Sequence, residues 1–495
     1  MFSRLTRSLL ATICLFLAFS LSVAAQGSDA KDAWQAMRTA AREQGVMIAS
    51  QGVTDYGSSL VAQNVRVYPA DDPDALVLQM PELRIEPRGA AIALIPSPQF
   101  TVTARPNRRI VRVMSFTHSG EIVADVTEDR ISLELLFDEL AMSLIRATRA
   151  GVTLDEAFDL SLTGFNGSLL AEREGTADIT LSAQTTRYSF GFGDQSSDTP
   201  VEQQAQAEIG GLRLEFSGRE LDMLSDDDGM LRAAFDAGFG MRFGLFAQSS
   251  TGTSRQSFDG TEIEGTSTSG PSEMVMNVED GSFSVRSSVQ SGNFSGGMPP
   301  FVGEVSLAEL GFSLGFPLLA TAQDQALYFR LNIDDVLPSA QALDLLGAGE
   351  FAGEAISMAL ELGAQGRLTQ DLGDEFFDAD EPPFDITTVN LDRLLTRVGD
   401  AEFTGIGAFA FLGGMLASLD DDVPNGTGDF VFDLIGGDAL MTRLIALGIV
   451  PQDQQFFARM MMNGLGRPVG EDHLRSDVAI RPGGLVTVND APLPF

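Results

Sequence analysis

The strongest constraint on this chain is an alternation of apolar and polar side chains with a period of two, which starts at Leu60 and returns almost to the C-terminus. Leu60-Val61-Ala62-Gln63-Asn64-Val65-Arg66-Val67-Tyr68, Ala75 to Met80, Leu83-Arg84-Ile85 and Phe100-Thr101-Val102-Thr103 are runs of this kind, separated by Pro, Gly and Asp. Successive side chains of a strand point to opposite faces, so each run predicts a strand with one buried face. The same texture recurs in Ile179-Thr180-Leu181, Leu212-Arg213-Leu214-Glu215-Phe216 and Ala408-Phe409-Ala410-Phe411. Met274 to Val278 is joined through Asp280-Gly281 to Ser282-Phe283-Ser284-Val285. An Asp-Gly pair readily supplies the two positive φ angles of a tight hairpin, so this is the sharpest hairpin signal in the chain.

A looser echo appears in Leu162-Thr163-Gly164, Phe216-Ser217-Gly218, Phe294-Ser295-Gly296 and Phe403-Thr404-Gly405, where a glycine suits a strand that turns or bulges. The irregular spacing argues against a solenoid. The Ser-, Thr- and Gly-rich stretch from Ser249 to Pro271 reads as a linker between lobes or as polar strands; Phe258 and Ile263 favour strands.

Helical spacing is sparse. Ser28 and Asp29 are candidate caps for a helix in which Trp34, Met37 and Ala41 share one face and Gly45 is the stop, which places the only tryptophan in the core. Further helices are expected over Ser132 to Ala150, Glu220 to Phe235 and Ala340 to Leu346. Near the end, Asp438 caps a predicted helix carrying Leu440, Leu444 and Leu447. Gly448 ends it, and Pro451 opens a second helix bearing Phe456, Phe457, Met460 and Met461. Val478, Ile480, Gly483-Gly484 and Leu485 to Asn489 then read as a closing hairpin. The expected fold is therefore mainly β, a large twisted or rolled antiparallel sheet covered by a few helices, in a single domain over residues 26–495.

Residues 1–25 combine Arg4 and Arg7, an apolar run from Leu9 through Leu21, and the small residues Val23-Ala24-Ala25. These are the parts of a secretory signal, with cleavage expected before Gln26 and a periplasmic destination. The alternative is an uncleaved inner-membrane anchor facing the periplasm, since the run approaches the roughly 18 residues that span a bilayer. Cys14, the single cysteine, lies inside that run behind Ile13, where lipid attachment would want a small residue. The mature chain then has no disulfide, iron–sulfur ligand or cysteine nucleophile, and a chain this long can bury enough core without crosslinks.

Loss of Arg4 and Arg7 leaves the chain more acidic still than its formal −37, which opposes binding to nucleic acid and to anionic lipid headgroups. With 44% hydrophobic and only 20% charged residues, the composition is that of a folded protein and not of an acidic disordered tail.

Signals for chemistry are few. His118 and His473 are the only histidines and have no companion at metal-ligand spacing, so no metal or cofactor is expected. Gly311-Phe312-Ser313-Leu314-Gly315 matches the pattern of a hydrolase nucleophile elbow, but the surroundings alternate like a strand and Pro317 stands where the elbow helix would start. Asp226-Asp227-Asp228-Gly229, and Asp420-Asp421-Asp422 with Asn425, Gly426 and Asp429, lack the ordered ligand ladder of a calcium loop and read as charged loop tips. No phosphate-cradling loop opens a helix.

The Asp32-Ala33-Trp34-Gln35 helix, Ala401-Glu402-Phe403-Thr404-Gly405-Ile406-Gly407, and Gly436-Gly437-Asp438-Ala439-Leu440 through Leu447-Gly448-Ile449-Val450-Pro451 to Arg459-Met460-Met461 resemble a bacterial exported family, domain of unknown function 2125. The ending Gly484-Leu485-Val486-Thr487-Val488-Asn489 carries the same resemblance. It runs along nearly the whole mature chain, is most specific in the C-terminal third and least over residues 249 to 300, and implies no activity and no functional residues. A looser similarity of texture links the chain to AsmA-like envelope proteins built from long curved sheets.

Two functional readings follow. In the first, the chain is a non-enzymatic binding or scaffold protein whose sheet takes a lipidic or other apolar ligand, with an envelope protein as a further partner. Leu440, Leu444, Phe456, Phe457, Met460 and Met461 then form a groove in which flexible methionines repack around varied molecules, or else simply cover the sheet. In the second, it is a periplasmic hydrolase or metal-dependent enzyme in which Ser313 or the acidic loops meet a histidine.

Overall fold

The computed structural model describes residues 29–493 apart from 44, 108, 128, 173–174, 195–200, 222–230, 259–260, 299–300, 346, 373–383, 419–424, 448–450 and 452–453. Strands hold 70% and helices 12% of the described residues, and the pairing is antiparallel, as the alternation requires. Contacts divide the chain into two compact units, a division not drawn by the sequence reading of 26–495 as one domain. One comprises Met1–Leu221 with Phe243–Thr266, the other Asp222–Arg242 with Ser267–Phe495.

The first unit begins with the helix Ala30–Glu43. The Asp29 carboxylate accepts the Lys31 amide at 2.9 Å and so caps it, and Gly45, at φ 75°, takes the left-handed turn that ends it. Trp34 and Met37, each 1% exposed, lie in the core cluster with Leu60, Val65, Leu78 and Ile85 of the strands Leu60–Pro69 and Leu76–Arg88. Asn64, at φ 48°, is an irregularity in its strand that shifts the buried set from Leu60 and Ala62 to Val65 and Val67. The ladder steps from Gln63↔Glu82 to Val65↔Met80, leaving Asn64 and Pro81 out of the pairing. A proline without an N–H is tolerated there, which is why two runs broken at Pro81 form one strand.

Beyond this core, Ile110–Val126, Arg130–Arg149, Asp155–Glu172, Ala177–Asp194, Val201–Arg219 and Ser249–Phe258 pair in sequence as an antiparallel meander. The Ser249–Pro271 stretch thus forms the strands Ser249–Phe258 and Thr261–Ser269. The helix expected over Ser132 to Ala150 is instead the 20-residue strand Arg130–Arg149. Its ladder with the preceding strand skips Asp138, between Ser119↔Glu139 and Gly120↔Phe137, and Ile145, between Val113↔Arg146 and Met114↔Leu144. These two bulges convert a period of two into Leu133, Phe137, Leu140, Leu144 and Ala147, a spacing of four and three that a helix would also show.

The second unit is a meander of Ser272–Glu279, Ser282–Met298, Phe301–Pro317, Gln325–Pro338, Ile356–Leu368, Phe384–Val398, Ala401–Phe411, Gly426–Ile435, His473–Arg481 and Leu485–Val488. Glu279 pairs with Ser282 across Asp280 and Gly281, at φ 51° and 70°, the predicted hairpin. The helix expected over Glu220 to Phe235 is limited to Leu231–Ala237 among the described residues, and that over Ala340 to Leu346 spans Ala340–Leu345. The terminal pair spans Gly437–Ala446 and Gln455–Leu465. Asp438 does not cap the first of these. The Asp472 carboxylate does, accepting the amides of Asp438 at 2.8 Å and Ala439 at 3.2 Å. No described helix is long and apolar enough to cross a membrane.

A polar knot around the buried Ser357 pins the second unit. Ser357, 1% exposed, accepts the Asp335 amide at 3.1 Å and an Arg397 N–H at 3.1 Å, and donates to the Asp334 carboxylate at 3.0 Å. Asp335, at φ 48°, is where the ladder to Ile356–Leu368 shifts register. Ser357→Ala is expected to cost about 1–3 kcal/mol, because the Asp335 amide loses its hydrogen-bond partner. Urea unfolding followed by circular dichroism reads this loss.

Candidate apolar cavity

Period-two strands present one row of side chains inward. In the first unit those rows come from the meander strands and converge on a cavity of about 310 Å³. Leu133, Leu135, Phe137, Leu140 and Met142 come from the bulged strand, Leu160, Leu162 and Phe165 from its neighbour, Leu181, Ala183, Leu212 and Leu214 from the two beyond, and Leu245 from the separate strand Gly240–Ala247. Gly167 leaves room beside it, since a Cβ there would fall 2.7 Å from Leu181 Cδ2 and 2.9 Å from Leu135 Cδ1. At one side runs a chain of rings. Phe116 stacks on Phe100 at 5.0 Å, Phe100 lies 6.0 Å from His118, His118 meets Phe137 edge-on at 5.4 Å, and Phe137 stacks on Phe165 at 6.2 Å.

Only His118 and Ser182 among the lining residues carry polar side chains. The Ser182 hydroxyl faces the Asn166 carbonyl at 3.5 Å. His118 Nε2 lies 3.0 Å from the Ser97 carbonyl oxygen, which assigns the proton of the neutral ring to Nε2. Nδ1 is buried with no hydrogen-bond partner among the described residues. Burial holds the imidazole below its ordinary pKa, against a smaller opposing pull from the Ser97 carbonyl. The cavity can enclose hydrocarbon, and offers little to orient a polar reaction.

A second apolar cavity, of about 410 Å³, lies within the second unit. Met462 and Leu465 of the last helix line it, together with Phe403, Phe432, Leu434 and Leu474 of the sheet. The residues anticipated for a groove lie elsewhere on the helical pair. Phe456, Phe457 and Met460 are 79%, 58% and 49% exposed, and Leu440 and Leu444 are half-buried without lining the cavity. Met461 has a side chain outside the described set. Gln455, Arg459 and Asn463, four residues apart, put a polar stripe on Gln455–Leu465, and the side opposite it is that of Phe457 and Met461. The fold turns Met462 and Leu465 inward, three residues apart, and Phe456 and Met460 outward, four apart.

The residues considered for catalysis do not converge. Ser313 sits within the strand Phe301–Pro317, between Arg286 and Arg330 in register, and no hydrogen bond among the described residues joins it to a histidine. His473 Nε2 is 2.8 Å from Asp433, whose carboxylate also takes a two-point contact from Arg475 at 3.0 and 2.9 Å. Arg475 holds the Asp433 carboxyl below its usual range, with His473 acting in the same direction and desolvation opposing. Asp429 is paired with Arg481 at 2.8 Å. Asp226, Asp227, Asp228, Asp420, Asp421 and Asp422 lie outside the described residues. Among the described residues no cluster of three potential ligands could hold a metal ion.

Fold and cavity together define a β-rich protein with a partly open apolar pocket. No protein-family model and no curated protein matches the chain.

Proposed function

We propose that this chain is an exported, non-enzymatic binding protein of a bacterial envelope whose first-unit cavity takes a lipidic or otherwise apolar molecule. The observation that carries the reading is a chamber walled by leucine, phenylalanine and methionine from consecutive strands, with both polar lining groups turned to backbone carbonyls. Specific ligand pockets are typically of this kind, concave and mostly apolar. Export rests on the residues 1–25 signal pattern, and an envelope role is in keeping with the resemblance to the exported family and to AsmA-like proteins. A partner protein of the envelope would exchange the ligand with it.

Ala183, 5% exposed on the cavity wall, provides the test. Ala183→Phe is expected to place its ring in the chamber, keep the melting temperature near that of the parent, and abolish saturable uptake of the uncharged fluorophore N-phenyl-1-naphthylamine. Overpacking of a filled core would instead cost about 1–3 kcal/mol. Mass spectrometry of the natively purified parent should find an apolar small molecule that the variant lacks. A parent that neither takes the probe nor carries such a molecule would refute the reading.

A further inference from the structure

We propose that occupation of the first-unit cavity and protonation of His118 exclude one another, so that acidification discharges the apolar ligand. The inference rests on the binding reading above and adds its regulation.

The geometry leaves a protonated ring nowhere to place its second N–H. Nε2–H already faces the Ser97 carbonyl at 3.0 Å, and Nδ1 is buried without a partner among the described residues. Among the described residues, the elements packed against His118 offer no anion. The strand Gln99–Asn107 presents Phe100, the strand Arg130–Arg149 presents Phe137, and the turn before Gln99 presents the Ser97 carbonyl. The charged residues nearby face other ways. Glu139 is in register with Ser119, whose side chain leaves the strand on the face opposite His118, and both Glu139 and Asp138 are exposed. Glu121 is held by Arg88 at 3.0 Å, and Arg105 of the neighbouring strand by Asp74 at 3.2 Å. Across the chamber stand Leu160, Leu162 and Phe165.

A hydrocarbon ligand replaces the water that the exposed part of the ring still meets, and with Nδ1 already shut from solvent an imidazolium beside hydrocarbon keeps only its Ser97 contact. The ligand therefore binds the neutral form better, and by reciprocity each proton taken up weakens the ligand. In the free protein burial already holds His118 below its ordinary value of 6.5. The effect thus lies on the acid side: affinity is constant above that range and falls as pH drops through the free-state titration of His118. Stability follows the same sign, because the unfolded chain takes the proton first.

Binding of N-phenyl-1-naphthylamine to the full mature chain at pH 8 to 5 tests the proposal. Saturable binding near pH 8 is expected, with a dissociation constant that rises by up to about tenfold per pH unit on the acid limb. In His118→Phe the dissociation constant, read relative to that variant's own value at pH 8, should lack this limb. Proton NMR of the parent supplies a readout that survives a misfolded variant. With only two histidines, and His473→Gln to assign them, the His118 resonance should titrate at lower pH when the probe is bound. A parent whose affinity is flat with pH, or whose His118 titration ignores the probe, overturns the exclusion while leaving the binding reading intact. A parent that binds no probe at pH 8 overturns both.

Discussion

Trp34→Ala is expected to remove about 3–5 kcal/mol of stability, the largest loss from any single truncation in the first helix. Trp34 is 1% exposed in the core formed with Met37, Leu60 and Ile85, and its ring also carries the Arg38 guanidinium at 5.8 Å. Alanine leaves a void that helix and sheet cannot close without moving together. Against a domain stability on the order of 5–15 kcal/mol, such a loss is large. The indole Nε1 is buried without a partner among the described residues, so Trp34→Phe removes an unsatisfied donor along with some volume and should cost much less. Urea unfolding monitored by circular dichroism checks both variants, since the only tryptophan is the residue replaced. Equal losses in the two would show that the ring's volume is not what holds the helix.

Arg112→Leu is expected to cost a comparable amount, about 3–5 kcal/mol, for a different reason. Arg112 on Ile110–Val126 and Glu156 on Asp155–Glu172 meet in a two-point contact at 2.8 and 2.9 Å, each side chain only 13% exposed. The pair spans the intervening strand Arg130–Arg149, where Arg112 is in register with Ala147, 2% exposed. Removing the guanidinium strands a carboxylate on a largely dry face, and that desolvation, more than the lost attraction, sets the size of the effect. Arg112→Leu with Glu156→Leu should therefore recover most of the loss, because no charge is then left unpaired. A double variant as unstable as the single one would place the energy in the arginine's packing instead. Exposed pairs such as Arg187–Glu208, at 61% and 49%, should yield at most about 1 kcal/mol in the same experiment.

Much of the architecture was legible because strand periodicity is a local property. Trp34 in the core, the Asp280-Gly281 hairpin and the strands of Ser249–Pro271 each follow from a few adjacent residues. Ser132 to Ala150 misled because a bulge is defined by the partner strand. Nothing within Leu133 to Ala147 says that Asp138 and Ile145 are skipped. The cavity was hidden for the same reason. Leu135, Leu162, Leu181 and Leu214 read as ordinary strand leucines, and only the pairing of four strands brings them to one chamber. His118 carried a faint signal, a histidine between Phe116 and Ile122 in a long strand, but its Ser97 partner lies 21 residues away. The terminal helices gave the reverse case: their apolar residues were plain, and the face that meets the sheet was not.

That the chain is built mainly of antiparallel strands follows from its local pattern, because alternation, turn residues and β-branched side chains act within a few residues of one another. Long-range packing sets where strands bulge, which helix face turns inward, that Asp472 rather than Asp438 caps the helix Gly437–Ala446, and that His118 borders an apolar pocket with one nitrogen unpaired among the described residues. Each of these is set by a partner far along the chain, and long-range pairing energies leave no trace in the local pattern from which strands and helices are read.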